Sequence, residues 1–143
     1  MEITNIKDCL KFRLLRKIKP DLEKAGKSLD IARKKISSSE TALKFNIANF
    51  TILDAYLAMF HAARAVLYKD GIQEKSHFAI FIYLKEKYVN EIPLFVLNLL
   101  NVHRVERHEV MYGLEYEPKK EDALTALKDA KLFVKEIERI LKV

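Results

Sequence analysis

The side chains best suited to chemistry cluster between His103 and Tyr112, where the chain reads HRVERHEVMY. This stretch holds two guanidinium groups (Arg104, Arg107), two imidazoles (His103, His108) and one phenol (Tyr112). Arg107 lies three residues past Arg104 and seven past Leu100, so both arginines fall on or beside the apolar side of a helix. His103 precedes Arg107 by four residues and His108 precedes Tyr112 by four. Guanidinium forks suit phosphate oxygens because they bind bidentately and stay charged. An imidazole can move a proton near neutral pH, for example from a ribose 2′-hydroxyl. Arg104 or Arg107 holding phosphate, with His103 or His108 moving the proton, is sufficient for RNA cleavage without a metal. The same residues also fit a salt-bridged helix end, since Glu106 and Glu109 are adjacent and cations are favoured at a helix C-terminus.

A second stretch, AYLAMFHAARAVLYKDG from Ala55 to Gly71, carries Tyr56, His61 and Arg64 in apolar surroundings. Arg64 follows Phe60 by four residues and precedes Leu67 by three, so it shares an apolar face and needs a carboxylate, a carbonyl or water. The apolar period of this stretch makes it a core helix. Tyr56, His61 and Arg64 are therefore expected to support a site on a facing helix rather than to react themselves.

Other chemistries lack their residues. Gly26, Gly71 and Gly113 are isolated, so no glycine-rich phosphate loop forms. There is no G-x-S-x-G elbow and no H-E-x-x-H pair. Cys9 is the only cysteine, which leaves no intrachain disulfide and no thiolate cluster. The four histidines do not follow zinc spacing. Neither a metal nor a cofactor is expected.

The elements that must position these groups are helices. With only three glycines and three prolines in 143 residues, the chain has few turn formers and should form long helices with short connections. Ile6, Leu10, Leu14 and Ile18 suggest a first helix from Ile3 to Ile18, capped by Thr4 or Asn5 and stopped by Pro20. A second begins at Asp21 and ends near Ser37–Ser39 or runs on towards Phe45. The third starts near Asn46 or Asn49 and closes at Asp70-Gly71, with Gly71 suited to a left-handed cap. A fourth covers roughly His77 to Tyr88 behind Ser76. The fifth begins at Pro93 and ends at Gly113, and the last follows Pro118. No strand is expected. The expected fold is all-α: an antiparallel up-and-down bundle of five or six helices in one domain spanning residues 1–143.

The charge of +6 is uneven. Residues 1–35 hold eleven Lys/Arg and five Asp/Glu, while the rest of the chain is balanced. Such a patch either steers an anionic partner or forms a solvated helix face. No run reaches the roughly eighteen apolar residues of a membrane span, and no basic-then-apolar leader opens the chain. A cytoplasmic protein without a membrane partner is expected.

Together the two stretches resemble a known family. The run YLAMFHAARA (Tyr56–Ala65), then KDGI (Lys69–Ile72), KSH (Lys75–His77), Arg107 with Tyr112-Gly113, and YEP (Tyr116–Pro118) is similar to the HEPN domain, in particular its small single-domain prokaryotic branch. The likeness runs from about Leu22 to Leu141. It implies a bundle with four main helices, frequent dimerisation and, often, a minimal nucleotidyltransferase as the other half of a toxin–antitoxin pair. In nuclease members an Arg followed at short spacing by a His does the work. Arg107 matches that Arg, and Tyr112 stands where the His is expected. A tyrosine is a poor base at neutral pH, because its pKa is about 10. It can donate a hydrogen bond, and a tyrosine near the motif accepts an adenylyl group in related toxin systems.

Three readings follow from these residues. The first is an RNA- or nucleotide-acting HEPN protein, a metal-independent endoribonuclease toxin in which Arg107, His108, His103 and Tyr112 are catalytic and Arg104 and Arg107 bind phosphate or RNA. The second is a non-catalytic module that binds a nucleotide or a minimal nucleotidyltransferase. The third is a structural homodimer whose arginines are paired internally.

Overall fold

The computed structural model describes residues 2–143. The described residues fold as six helices and two short strands, in the order α1 (Ile6–Lys11), β1 (Leu15–Lys17), α2 (Leu22–Lys44), α3 (Ala48–Asp70), β2 (Ile72–Glu74), α4 (His77–Tyr88), α5 (Leu94–Tyr112) and α6 (Lys120–Leu141). It is an all-α bundle with α2, α3, α5 and α6 as its long members.

α3 is the axis. Ala55, Ala58, Ala62, Ala63 and Ala65 are fully or almost fully buried on its several sides, and such small side chains let α2, α5 and α6 approach closely. Met59, Leu67, Phe133, Ile80 and Leu100 fill the spaces between them. α3 is also long and apolar enough to cross a membrane, but 67% of its most apolar window is packed inside the bundle. Its burial therefore has a sufficient cause in the core.

Asp21 caps α2, accepting from the Lys24 backbone N–H at 2.9 Å. α2 runs through Ser37-Ser38-Ser39 to Lys44. Ser39 is buried there and donates to the Thr51 carbonyl at 2.7 Å, which ties α2 to α3. Gly71 ends α3 in the left-handed region at φ 79°. A Cβ at Gly71 would lie 2.7 Å from the Ile18 carbonyl oxygen, so both conformation and space require glycine.

The N-terminal segment corrects two expectations. Asn5 does cap a helix, accepting from the Asp8 N–H at 2.8 Å, but that helix stops at Lys11 instead of Ile18. Arg13 takes φ 59° and turns the chain, and Leu15–Lys17 then pairs antiparallel with Ile72–Glu74. The expectation of no strands thus fails locally. Leu15 is 1% exposed, and burying it against β2 outweighs the helical period of Leu10, Leu14 and Ile18. The pairing has a positional consequence: it fixes β2 and hence the start of α4.

Candidate active site

One face of α3 presents Tyr56, Phe60 and Arg64 at four-residue steps. Opposite them, α4 begins with His77 and Phe78. α5 crosses the opening and brings Arg104 and Arg107 from its inward side. β2 contributes Glu74. Four elements, spread over about fifty residues of sequence, thus meet at one site.

His77 sits at the centre. Its Nδ1 lies 2.8 Å from the Tyr56 hydroxyl, and its ring stacks on Phe60 with centroids 4.2 Å apart and planes 18° from parallel. Nε2 makes no hydrogen bond within the protein among the described residues. Burial pushes the imidazole below its ordinary value, and Arg107, Arg104 and Arg64 push it further down. His77 is therefore held neutral near pH 7. Of its two neutral forms, the one in which Nδ1–H donates to the Tyr56 oxygen leaves Nε2 with a free lone pair.

Tyr56 is 1% exposed. Burial pushes its phenol up to about 12, against the downward pull of Arg107 and Arg104, so it stays protonated. The Arg107 guanidinium lies 5.8 Å from the Tyr56 ring centre, and that of Arg104 lies 5.1 Å from the Phe78 ring. Arg104 Nε donates to Asn101 Oδ1 at 3.0 Å. Among the described residues neither arginine has a carboxylate within 4.0 Å. Their charge is uncompensated by the protein, which is the condition for binding an anion.

Arg64 is different. Its Nε lies 2.6 Å from Glu74 Oε1, but the N–H is not aimed at the oxygen, so the contact is an ion pair without a hydrogen bond. Its guanidinium lies between the rings of Phe60 and Tyr68, at 5.7 and 5.3 Å. His61 packs edge-on against Phe60 with centroids 5.3 Å apart, and its buried Nδ1 has no partner. Tyr56, His61 and Arg64 thus border the cluster, with Tyr56 in direct contact with His77.

The α5 residues divide by face. His103 points away from the arginine cluster and is 3% exposed. Its Nδ1 lies 2.8 Å from Glu106 Oε1 and its Nε2 2.8 Å from Asp129 Oδ2, so both nitrogens are occupied and α5 is pinned to α6. Burial lowers its proton affinity, but the two carboxylates more than reverse this and the net shift is upward. His108 and Tyr112 lie outside, with ring centroids 4.9 Å apart, and Tyr112 is 61% exposed. Residues five apart differ by about 140° on a helix, and α5 stays helical to Tyr112, so Arg107 and Tyr112 do not converge within one chain. Gly113 then ends α5, with its N–H donating to the Glu109 carbonyl at 2.8 Å.

His77 and Phe78 carry no spacing signal that links them to Tyr56 or Arg104, because the contacts depend on how α4 docks. One signal was available: His77 belongs to the KSH run that contributes to the family resemblance.

Residues 25–140 match the HEPN domain family. The chain belongs to that family. Two similar proteins support the assignment. One is a UPF0332 protein of Archaeoglobus fulgidus, 32% identical over 105 residues, covering 72% of this chain and 83% of that protein. The other is a candidate toxin of Methanocaldococcus jannaschii, 22% identical over 122 residues, covering 80% of this chain and 86% of that protein. In this HEPN chain, the segments that carry the family wording are those that build the arginine–histidine cluster: α3, the start of α4 and the second half of α5.

Proposed function

We propose that this HEPN protein is the RNA-cleaving, toxin-like half of a toxin–antitoxin pair and acts on single-stranded RNA in the cytoplasm. The observation that carries the reading is the convergence of Arg104 and Arg107, both without carboxylate partners, on a neutral His77. The relative described as a candidate toxin supports the biological role.

In this reading Arg107, with Arg104, holds the scissile phosphate. His77 Nε2 takes the proton of the ribose 2′-hydroxyl, and the 2′-oxygen forms a bond to phosphorus. The bond from phosphorus to the 5′-oxygen breaks, that oxygen takes a proton from water, and the upstream fragment ends in a 2′,3′-cyclic phosphate. The guanidinium groups meet the charge that develops on the phosphoryl oxygens. Tyr56 orients the imidazole through Nδ1. His103, with both nitrogens engaged by carboxylates, holds α5 in place and takes no part in the proton transfer. His108 and Tyr112 lie at the rim, where a second copy of the chain could meet them. Homodimerisation is supported by the exposed apolar groups on the outer side of α5, Phe95 at 64%, Val102 at 57% and Val105 at 48%.

Purified protein incubated with a mixed single-stranded RNA pool tests the assignment. Fragments with cyclic phosphate ends are expected from the wild type and not from Arg107→Ala. Equal fragment patterns from the two would overturn it.

A second reading is favoured by Tyr112. It stands at the position of the motif histidine and is 61% exposed, accessible to a modifying partner. Here the HEPN domain is a binding module for a minimal nucleotidyltransferase, and Tyr112 accepts an adenylyl group. Co-purification with such a partner, together with no cleavage of RNA by the unmodified protein, would favour this reading over the first.

A further inference from the structure

Beside the arginine cluster runs a groove of about 620 Å³ that the cleavage reading does not use. One side is α4, from Phe78 through Phe81 and Ile82 to Lys85, and the other is formed by Glu2, Ile3, Thr4 and Leu14. Phe78 is 37% exposed, and its ring is 6.0 Å from that of Phe81, tilted by 38°. Both rings carry a cation: Arg104 lies 5.1 Å from the centre of Phe78 and Lys85 lies 5.8 Å from the centre of Phe81. Glu86 also lines the groove, but its Oε1 is engaged by the Ile6 backbone N–H at 3.1 Å.

We infer that this groove is a subsite for an unpaired nucleobase of the RNA strand whose phosphate is held by Arg107 and Arg104. The inference rests on the RNA reading above and deepens it. Three observations select this occupant. Phe78 follows His77 directly, so the ring borders the place where the ribose would react. Arg104 faces the phosphate position and also covers Phe78, so the groove is continuous with the charged site. The combination of an exposed aromatic face with cations at both ends matches what a flat base joined to an anionic backbone requires. A base within a duplex has no free face to offer Phe78, so the subsite selects single strands.

The test uses the full chain and a short single-stranded oligoribonucleotide with one 2-aminopurine moved from position to position. Sites of cleavage are blocked by 2′-deoxy substitution. Stacking on Phe78 should quench 2-aminopurine strongly at one position next to the blocked site. Phe78→Ala should abolish that quenching and weaken single-strand binding by about 5- to 100-fold, leaving duplex binding unchanged. Phe78→Tyr should restore both. Arg107→Ala should weaken all RNA binding and yet reach the same quenched plateau at saturating protein. If wild type binds RNA but quenches no position, the subsite is overturned and the phosphate reading stands. If Phe78→Ala changes the oligomeric mass and leaves the quenching intact, the groove seats a second copy of the chain and the subsite is again overturned. If wild type binds no RNA at all, both the reading and the subsite fail.

Discussion

His77 and His103 show what surroundings do to the same side chain. His103 is buried and His77 is half-buried, and both lie at α5. His103 is enclosed by Glu106 and Asp129, and the carboxylates favour its charged form. His77 is enclosed by aromatic rings and three guanidinium groups, and both burial and charge favour its neutral form. The first arrangement makes a fixed ionic pin between two helices. The second leaves a neutral imidazole beside uncompensated positive charge, the condition in which it can accept a proton while an anion is held. The division of labour on this HEPN fold follows from which charges face each ring.

The largest expected effect breaks the His77 side of the comparison. His77→Ala should lower the single-turnover cleavage rate by about 10²- to 10⁴-fold with RNA affinity nearly kept. His103→Ala should leave the rate per folded molecule almost unchanged. Equal rate losses in the two variants would erase the distinction.

Stability should show the reverse. His103→Ala leaves Glu106 and Asp129 close together without their cation. It should cost about 2–4 kcal/mol in urea unfolding, towards the lower side of buried ion pairs because each carboxylate side chain is 20% exposed. A loss below about 0.5 kcal/mol would show that the pin does not hold α5 to α6.

The pH dependence of stability separates the two histidines by sign. The folded His103 binds its proton above the ordinary value of 6.5. Its contribution is complete below pH 6.5 and is lost as pH rises through the raised folded value. The folded His77 binds its proton below 6.5. Between its lowered value and 6.5 the unfolded chain holds more protons, so this group subtracts stability as the solution becomes acid and has no effect above that window. His103→Ala should flatten the alkaline side, and His77→Ala the acid side, of a stability profile measured by urea unfolding from pH 5 to 9. A wild-type profile whose alkaline limb survives His103→Ala would contradict the assignment.

Smaller effects sharpen the picture. Tyr56→Phe removes one hydrogen bond to His77 and should slow cleavage by about 5-fold, a loss near 1 kcal/mol, with the fold intact by circular dichroism. His108→Ala, at an exposed position, should change stability by less than about 0.5 kcal/mol by the same unfolding measurement.

Much of the bundle was legible in the residues because its causes are local. The three- and four-residue recurrence of Leu22, Ala25, Leu29 and Ala32 gave α2, and Gly71 and Gly113 marked the ends of α3 and α5. The first segment was not legible, because Leu10, Leu14 and Ile18 fit a helix while the deciding contacts, with Ile72 and Glu74, are made through a distant strand. The candidate site was legible by the same division. Spacing from Leu100 placed Arg104 and Arg107 inward. It could not show that His103 meets Asp129, which is 26 residues away, or that Tyr56 meets His77, which is 21 residues away. Those pairings depend on helix docking, and they decide which histidine is free.

The most direct test is a histidine-selective NMR titration of the full chain, with His77→Ala and His103→Ala used to assign the two signals. The account predicts that the His77 imidazole titrates below pH 6.5 and the His103 imidazole above it. Coincident midpoints, or His103 titrating below His77, would contradict it.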